Sequence, residues 1–413
     1  MSFSINAFSD LCVSYPSWTE LSAFLVSDEG GKLRVVQTEG SPYVIVRYTK
    51  GVSNFALAHV PLFRSVVWNT VTNRPVSIAP PKAEEGEPAE VAVRVSDFVD
   101  GTMIQAWQDG DQIQIATRTS LGAKGGFYST RSFADMLNDA LKGSGGTDKF
   151  LRSVLKSGQF ISLVLQHKDH KTVAPIPYNR VFVCYFGSVD SDGAVTMTQD
   201  TSVWPERLAS YAPQLYAAGA MSALGSAKSM LQENQNKGYS WQGLVFQDMA
   251  SSRRWRLRNP AYVIVRTLRG PEAGQAARFL RLRHSGNVKQ YLSYFREESN
   301  MMWDFEKTLR QRSAELYGAY NYMNKLKTKT MRDLPYSLRP HVYALHGKYL
   351  AQLSAKNAET DEKAVESISK STVIDYVNAL AVEDQLKLLE GDRVPLARQP
   401  LVAHGQAHAQ ARA

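Results

Sequence analysis

The sequence holds only two cysteines, Cys12 and Cys184, far apart and outside any C-x-x-C pair. That excludes a disulfide framework and a cysteine-built zinc site, and it suits a reducing compartment. No apolar run comes near the roughly 18 residues of a membrane-spanning helix, so no membrane partner is expected. The opening stretch MSFSINAFSDLCVSYPSW has no basic segment followed by a long apolar one. A secretory signal is therefore not expected, and the chain reads as intracellular.

Acidic residues are also in deficit. Lys and Arg number 48 against 39 Asp and Glu, a formal charge of +9. An excess of that sign favours polyanionic partners, such as RNA or another nucleic acid. Acid is scarcest between Arg253 and Arg283, where Glu272 stands alone among nine arginines. Of these, Arg253, Arg254, Arg266, Arg269, Arg281 and Arg283 are candidate nucleic-acid contacts, and Arg256 and Arg258 are candidate phosphate contacts. The opposite bias occurs at Glu84, Glu85, Glu87 and Glu90, in a Pro- and Gly-containing segment that reads as a solvated loop.

What remains is ordinary for a globular chain. Hydrophobic residues make up 44% and charged residues 21% of 413 residues, enough for two or three domains with real cores. Up to residue 273 the chain is rich in short alternating runs, as half-buried antiparallel strands are. Expected strands include Ser65–Asn69, Val91–Val95, Thr102–Gln108, Gln112–Thr117, Gln159–Leu165, Arg180–Val189, Gly243–Gln247 and Tyr262–Thr267. An Asp109-Gly110 turn joins the third and fourth in a hairpin. Helices are expected at Ser132–Leu141, Lys149–Lys156 and Pro205–Gln232. The N-terminal part is placed at 1–90 and a core at 91–273. From 274 to 390 the apolar spacing turns helical, with Met302, Phe305, Leu309, Leu316, Tyr320 and Met323 on one face. Further helices are expected near Tyr343–Leu353 and Ala364–Leu389. Residues 391–413 read as a disordered tail, in which His404 and His408 have no companion ligands. The expected class is α+β: an antiparallel-sheet core followed by an all-helical domain.

Five segments give the first 273 residues a recognisable order. They are Arg64–Trp68 with Ser77–Lys82, Phe98–Ile104 with Ala116–Thr119, Phe160–His167, Trp241–Val245, and Trp255–Tyr262. Together they resemble the nucleotidyltransferase core of phage-type RNA ligases. With Pro335–Tyr349 (PYSLRPHVYALHGKY) they are most similar to RNA-ligase-like proteins of large DNA viruses of eukaryotes. The resemblance covers residues 40 to 350. It implies a host-cytoplasmic or virion setting, ATP and Mg²⁺ as cofactors if the protein is active, and nucleic acid, virion or other protein partners. It says nothing of oligomeric state. For the helical part only the layout carries over.

Such ligases attack ATP with a lysine amine and pass the AMP to an RNA 5′-phosphate. The family carries this chemistry on K-x-D-G, a strand glutamate, E-G-x-V and K-x-K. Here the resemblance places Phe98 at the nucleophile, and phenylalanine has no lone pair to attack phosphorus. It places Ser162 at the strand glutamate, Gln242 at the second glutamate, and Arg256 and Arg258 at the lysine pair. The two arginines keep phosphate affinity. Asp100, Gly101 and Arg118 are the other candidates for nucleotide contact. The implied protein is a catalytically degenerate ligase-like chain that needs no metal or cofactor. It would bind nucleic acid or nucleotide, or serve as a virion or scaffold component. Two alternatives stand beside it: an active ATP-dependent ligase using Lys50 or Lys82, and a purely structural protein.

Several of these features also have plain structural readings. Asp100-Gly101 is a common turn before a strand. Arg118 could be a solvated strand end. His167 and His170 are expected in a surface loop. Trp241, Trp255 and Tyr262 suit base stacking and core packing equally.

Overall fold

A computed structural model of the chain describes residues 2–86, 88, 93–127, 129, 131–216, 224–272, 274–358 and 366–392. It divides into two compact units, Met1–Thr267 and Leu268–Ala413. The fold is α+β, with antiparallel sheets in the first unit and helices in the second.

In chain order the strands are β1 (Ser2–Ile5), β2 (Arg34–Gln37), β3 (Tyr43–Arg47), β4 (Val66–Asn69) and β5 (Arg74–Ile78). Next come β6 (Glu84–Glu85), β7 (Val93–Asp97), β8 (Thr102–Asp109), β9 (Gln112–Thr117) and β10 (Gln159–Gln166). The series ends with β11 (Arg180–Val189), β12 (Val195–Thr198), β13 (Leu215–Tyr216), β14 (Gly243–Asp248) and β15 (Arg254–Arg258). They form three sheets, ordered β1-β12-β11-β10-β8-β9, β13-β7-β14-β15-β6 and β2-β3-β4-β5. The short β6 runs parallel to β15, and the other pairings are antiparallel.

The first unit carries helices α1 (Ala7–Ser14), α2 (Trp18–Val26), α3 (Phe133–Ala140), α4 (Thr147–Val154), α5 (Glu206–Ala209) and α6 (Leu224–Glu233). A seventh, α7 (Pro260–Arg269), begins in it and ends with Leu268 and Arg269 of the second. Strand β10 is apolar nearly throughout because both its faces are covered. Ile161, Leu163 and Leu165 pack with Phe133, Met136, Leu137 and Phe150 of α3 and α4. Phe160 packs on the other side, with Trp68, Trp107 and Tyr185. Each such burial contributes roughly 1.5–3 kcal/mol.

The second unit holds α8 (Gln275–His284), α9 (Val288–Tyr294), α10 (Ser299–Tyr320), α11 (Arg339–Ala358), α12 (Lys370–Ala379) and α13 (Val382–Glu390).

Four expected elements differ. Tyr262–Thr267 is helical within α7: Asn259 accepts a hydrogen bond from the Ala261 amide, Pro260 begins the helix, and Tyr262 and Val265 are buried one turn apart. Among the described residues, the Pro205–Gln232 span holds α5, β13 and α6 rather than one helix, since Pro213 follows the short first turn. In the Ala364–Leu389 helix, α12 and α13 are separated at Leu380-Ala381. There the buried Gln385 side chain donates to the carbonyls of Val377, Asn378 and Leu380, which end α12. The hairpin turn is Gly110-Asp111, because Asp109 pairs with Gln112. The expected tail beyond residue 392, with His404 and His408, lies outside the described residues, as do Glu87 and Glu90.

Candidate anion-binding cleft

Strand β15 reads Arg-Trp-Arg-Leu-Arg, and period-two alternation sends its side chains to opposite faces. Trp255 and Leu257 join Trp241, Leu244 and Phe246 in a core. Arg254, Arg256 and Arg258 line a cleft of about 530 Å³ on the other face. Opposite Arg256 in the register is Val245, and opposite Val245 is Ser96, and both line the same cleft. The chain crosses from β7 to β8 through Phe98–Gly101, so this linker also forms part of the wall.

Two glycines permit close backbone approach at this wall. Gly101 has φ 155° and a side chain there would strike the Leu165 carbonyl. Gly243 has φ 132° and a side chain would strike the Leu257 carbonyl. Each is required by backbone approach, whatever binds nearby.

Asp100 acts as a brace. One carboxylate oxygen accepts from the Val173 and Ala174 amides at 3.1 and 3.0 Å, and the other accepts from the Tyr262 hydroxyl at 2.8 Å. Burial and the Asp100 charge push the Tyr262 hydroxyl well above the usual tyrosine range. The other carboxylate on the wall, Asp97, accepts from Tyr216 and from the Trp241 ring nitrogen, both at 2.8 Å. Mg²⁺ requires carboxylate oxygens with lone pairs to spare. Asp100 has both oxygens committed to protein donors and Asp97 has one, its Oδ1, so at most a single carboxylate oxygen of this wall is left over, a poor donor set for a resident Mg²⁺.

The cations are differently placed. Arg64 donates to the Pro80 carbonyl, Arg118 to the Arg64 carbonyl and Arg254 to the Pro81 carbonyl, each at 3.3 Å. None of the three has a carboxylate within ion-pair distance among the described residues. The Nε atoms of Arg118 and Arg254 are buried without a hydrogen-bond partner. Burial, together with the charges of Arg118, Arg254 and Arg256, holds Arg64 below the usual arginine range. Burial lowers Arg118 likewise. Three positive charges, one buried and two half-buried, thus share one wall without an ion pair among the described residues.

Arg256 and Arg258 are partly neutralised. Glu85 of β6 accepts from both, at 2.9 Å from the Arg256 Nε and 2.5 Å from Arg258. Burial raises the Glu85 pKa, but the two arginines outweigh it and hold the carboxyl below its usual range. Glu84 and Glu85 were expected in a solvated loop. Instead they pair with β15, and Glu84 lies 3.4 Å from Arg253.

The remaining sequence candidates fall as follows. Phe98 and Gln242 line the cleft, with Arg258 over the Phe98 ring at 5.7 Å. Ser162 is buried and donates to the Ile78 carbonyl, in a polar seam beside Gln105, Ser65 and Ser77, and is not on the cleft wall. Lys50 is exposed on the rim, whereas Lys82 is off the wall, over the Phe55 ring at 5.0 Å. Arg266 is exposed and lines the cleft. Arg253 stacks on Trp255 at 4.9 Å. Arg269, Arg281 and Arg283 belong to the helical unit and are tied to Glu298, Glu272 and Glu306. Trp241, Trp255 and Tyr262 are buried core residues. His167 and His170 are buried too, because the chain turns back after β10 and packs them under Asp139 and Phe133. Arg64 and Cys184 are wall residues that pattern reasoning missed. Arg64 lies in a quoted segment but nothing in its neighbours marks it.

No protein-family model matches the chain, and comparison with curated proteins finds none similar to it. Among solved structures, an Aquifex aeolicus protein assigned as an ATP-dependent DNA ligase is similar at 13% identity and TM-score 0.38, over 69% of this chain and 75% of that one. An archaeal ATP-dependent RNA ligase is similar at 12% and 0.38, over 72% and 73%. A Naegleria gruberi RNA ligase solved with ATP and Mn is similar at 14% and 0.30, over 42% of this chain and about half, 52%, of its own. These likenesses are slight, and the functional reading rests on the residues of the cleft.

Proposed function

We propose that the cleft binds the phosphate groups of a nucleotide or a nucleic-acid end, reversibly and without divalent metal, in a ligase-like chain that no longer forms a lysyl-adenylate. The observation that carries this is the cluster Arg64, Arg118 and Arg254, none of which forms an ion pair among the described residues. Burying like charges is costly unless an anion neutralises them. Phosphate suits guanidinium forks, which grip two oxygens at once. Phe98 at the nucleophile's place in the resemblance supports the loss of covalent chemistry. The affiliation with large-virus proteins rests on the sequence segments alone.

Two measurements test this. Incubation with labelled ATP and Mg²⁺ should leave no covalent label on the denatured protein. A label lost on Lys50→Ala would overturn the reading in favour of an active ligase. Calorimetry with ATP in EDTA should detect binding in low salt, weakened at least tenfold by Arg118→Ala with Arg254→Ala, since charged hydrogen bonds contribute about 1.5–3 kcal/mol each. No binding in low salt would make the cleft vestigial and the protein a scaffold. Binding that needs Mg²⁺ would contradict the account of Asp97 and Asp100.

A further inference from the structure

The motif Pro335–Tyr349 takes no part in the cleft, and the charge of the helical unit draws attention to it. The unit's other arginines are largely committed to acids. Arg269 and Arg278 meet Glu298, Arg281 meets Glu272, Arg283 and Arg310 meet Glu306, and Arg312 meets Glu315. From 321 to 350 the balance is different. Lys325, Lys327, Lys329, Arg332, Arg339 and Lys348 share the stretch with a single acid, Asp333. That acid is occupied in capping the Thr330 amide and hydroxyl, at 2.8 Å each. None of the six cations forms an ion pair among the described residues. Lys325 and Arg339 donate to main-chain carbonyls, which leaves their charge unbalanced.

Aromatic rings face water along the same stretch. Tyr322, Tyr336 and Tyr343 are 46%, 76% and 62% exposed. Lys329 lies over Tyr322 at 5.1 Å, and Arg339 lies over Tyr336 at 5.8 Å. The stretch is pinned rather than loose. Leu334 and Leu338 are buried anchors, and Asp392 accepts from the Tyr336 and Ser337 amides. The end of α10 lies beside α11, with Tyr320 and His346 rings 6.3 Å apart. On α11, Arg339, Tyr343 and Gly347 follow one another at four-residue spacing, along one face. Gly347 weakens a helix interior, yet a side chain there would meet nothing within 4 Å. Packing inside the fold does not account for it.

We propose that the strip from Tyr322 to Leu350 is a binding surface for single-stranded nucleic acid. Lysines and arginines would hold phosphates, the tyrosine rings would stack on unpaired bases, and Gly347 would let the backbone of the strand pass close to the helix. Exposed rings interleaved with unpaired cations are what a single strand requires, because every base offers a face to stack on. A duplex hides its bases, and an acidic protein or membrane has none.

The test is fluorescence anisotropy of the full chain with a labelled single-stranded RNA, the DNA of the same sequence, and the matching RNA duplex. The single strands should bind at least tenfold more tightly than the duplex, and the RNA and DNA arms identify which sugar is preferred. Tyr336→Ala with Tyr343→Ala should cost at least tenfold, and Tyr336→Phe with Tyr343→Phe should restore it. Changing Lys327, Lys329 and Arg332 to Ala should make the log–log salt slope shallower by about 2, at roughly 0.7 per phosphate. Thermal melts identify variants that fail to fold. Equal binding of duplex, or undiminished binding by the tyrosine pair, would overturn the proposal. So would RNA binding lost only on Arg118→Ala with Arg254→Ala, which would place the strand in the cleft. Binding of anionic vesicles but not RNA would assign the strip to membranes instead.

Discussion

At the residue scale Asp100 decides how the D-G pair should be understood. Its carboxylate satisfies two amides and a buried hydroxyl, so removing it strands three donors at once. Asp100→Ala should therefore destabilise the first unit by about 3 kcal/mol or more. The melting temperature should fall by roughly 2–4 °C for each kcal/mol in a unit of this size. A melt unchanged within a degree would mean that those contacts do not form. The thiols give a second residue-scale prediction. Burial pushes both Cys12 and Cys184 up from 9.0 to about 11. Thiolate is the reactive form, so at pH 8 burial leaves very little of it at either residue. Both should resist a thiol reagent at pH 8 in the native chain and react on unfolding. Rapid native labelling of Cys184 would show an open, wetter cleft. The sequence made Asp100 visible as a site residue but could not assign its role, because its partners lie 73, 74 and 162 positions away. For the same reason Arg64 was invisible: its meaning comes from Arg118 and Arg254, which only the fold brings near.

At the element scale, local pattern told most where one face of an element is dry. The hairpin expected at Thr102–Gln108 and Gln112–Thr117 could be read directly, whereas β15, whose Arg-Trp-Arg-Leu-Arg alternation is as clear, was not among the expected strands. The run Tyr262–Thr267 misled because Val263, Ile264 and Val265 favour strands by type, while Asn259-Pro260 starts a helix and the burial of Tyr262 and Val265 follows helical spacing. The acidic run misled in another way, since Glu85 finds its partners in β15, about 170 residues on. This two-residue strand sets an anionic group on the arginine pair that an incoming phosphate would use. Glu85→Gln should therefore tighten tripolyphosphate binding several-fold in calorimetry while leaving Arg64→Ala and Arg118→Ala effects intact. Weaker binding would mean that Glu85 orients the pair for the ligand. The pH dependence has a definite sign. The folded carboxyl titrates below its unfolded value, so the contact is present above the usual carboxylate range and is lost as pH falls through the depressed value. Competition by Glu85 therefore persists at neutral pH.

At the scale of the whole molecule, a net charge of +9 says little until it is divided by what each cation faces. Part of the arginine-rich stretch is neutralised within the helical unit and part by Glu85, whereas Arg64, Arg118 and Arg254 of the cleft wall and the cations of the 321–350 strip form no ion pair among the described residues. A wall of unbalanced guanidiniums should cost stability that a ligand returns. Arg64→Met keeps the stem of the side chain and removes one of the crowded charges. Replacing buried ionic groups by apolar ones of similar volume is often neutral or stabilising by about 1–4 kcal/mol. The ligand-free variant should thus melt at or above the native temperature, despite losing the hydrogen bond to the Pro80 carbonyl. Tripolyphosphate at a hundred times its dissociation constant should raise native stability by about 2.7 kcal/mol, and the variant should lose most of that gain. Opposite movement of the two melts, one without and one with the anion, is the signature of a binding site maintained at the expense of stability. A variant that melts lower yet responds fully to the anion would make Arg64 a structural strut, and would leave Arg118 and Arg254 to hold the phosphate without it.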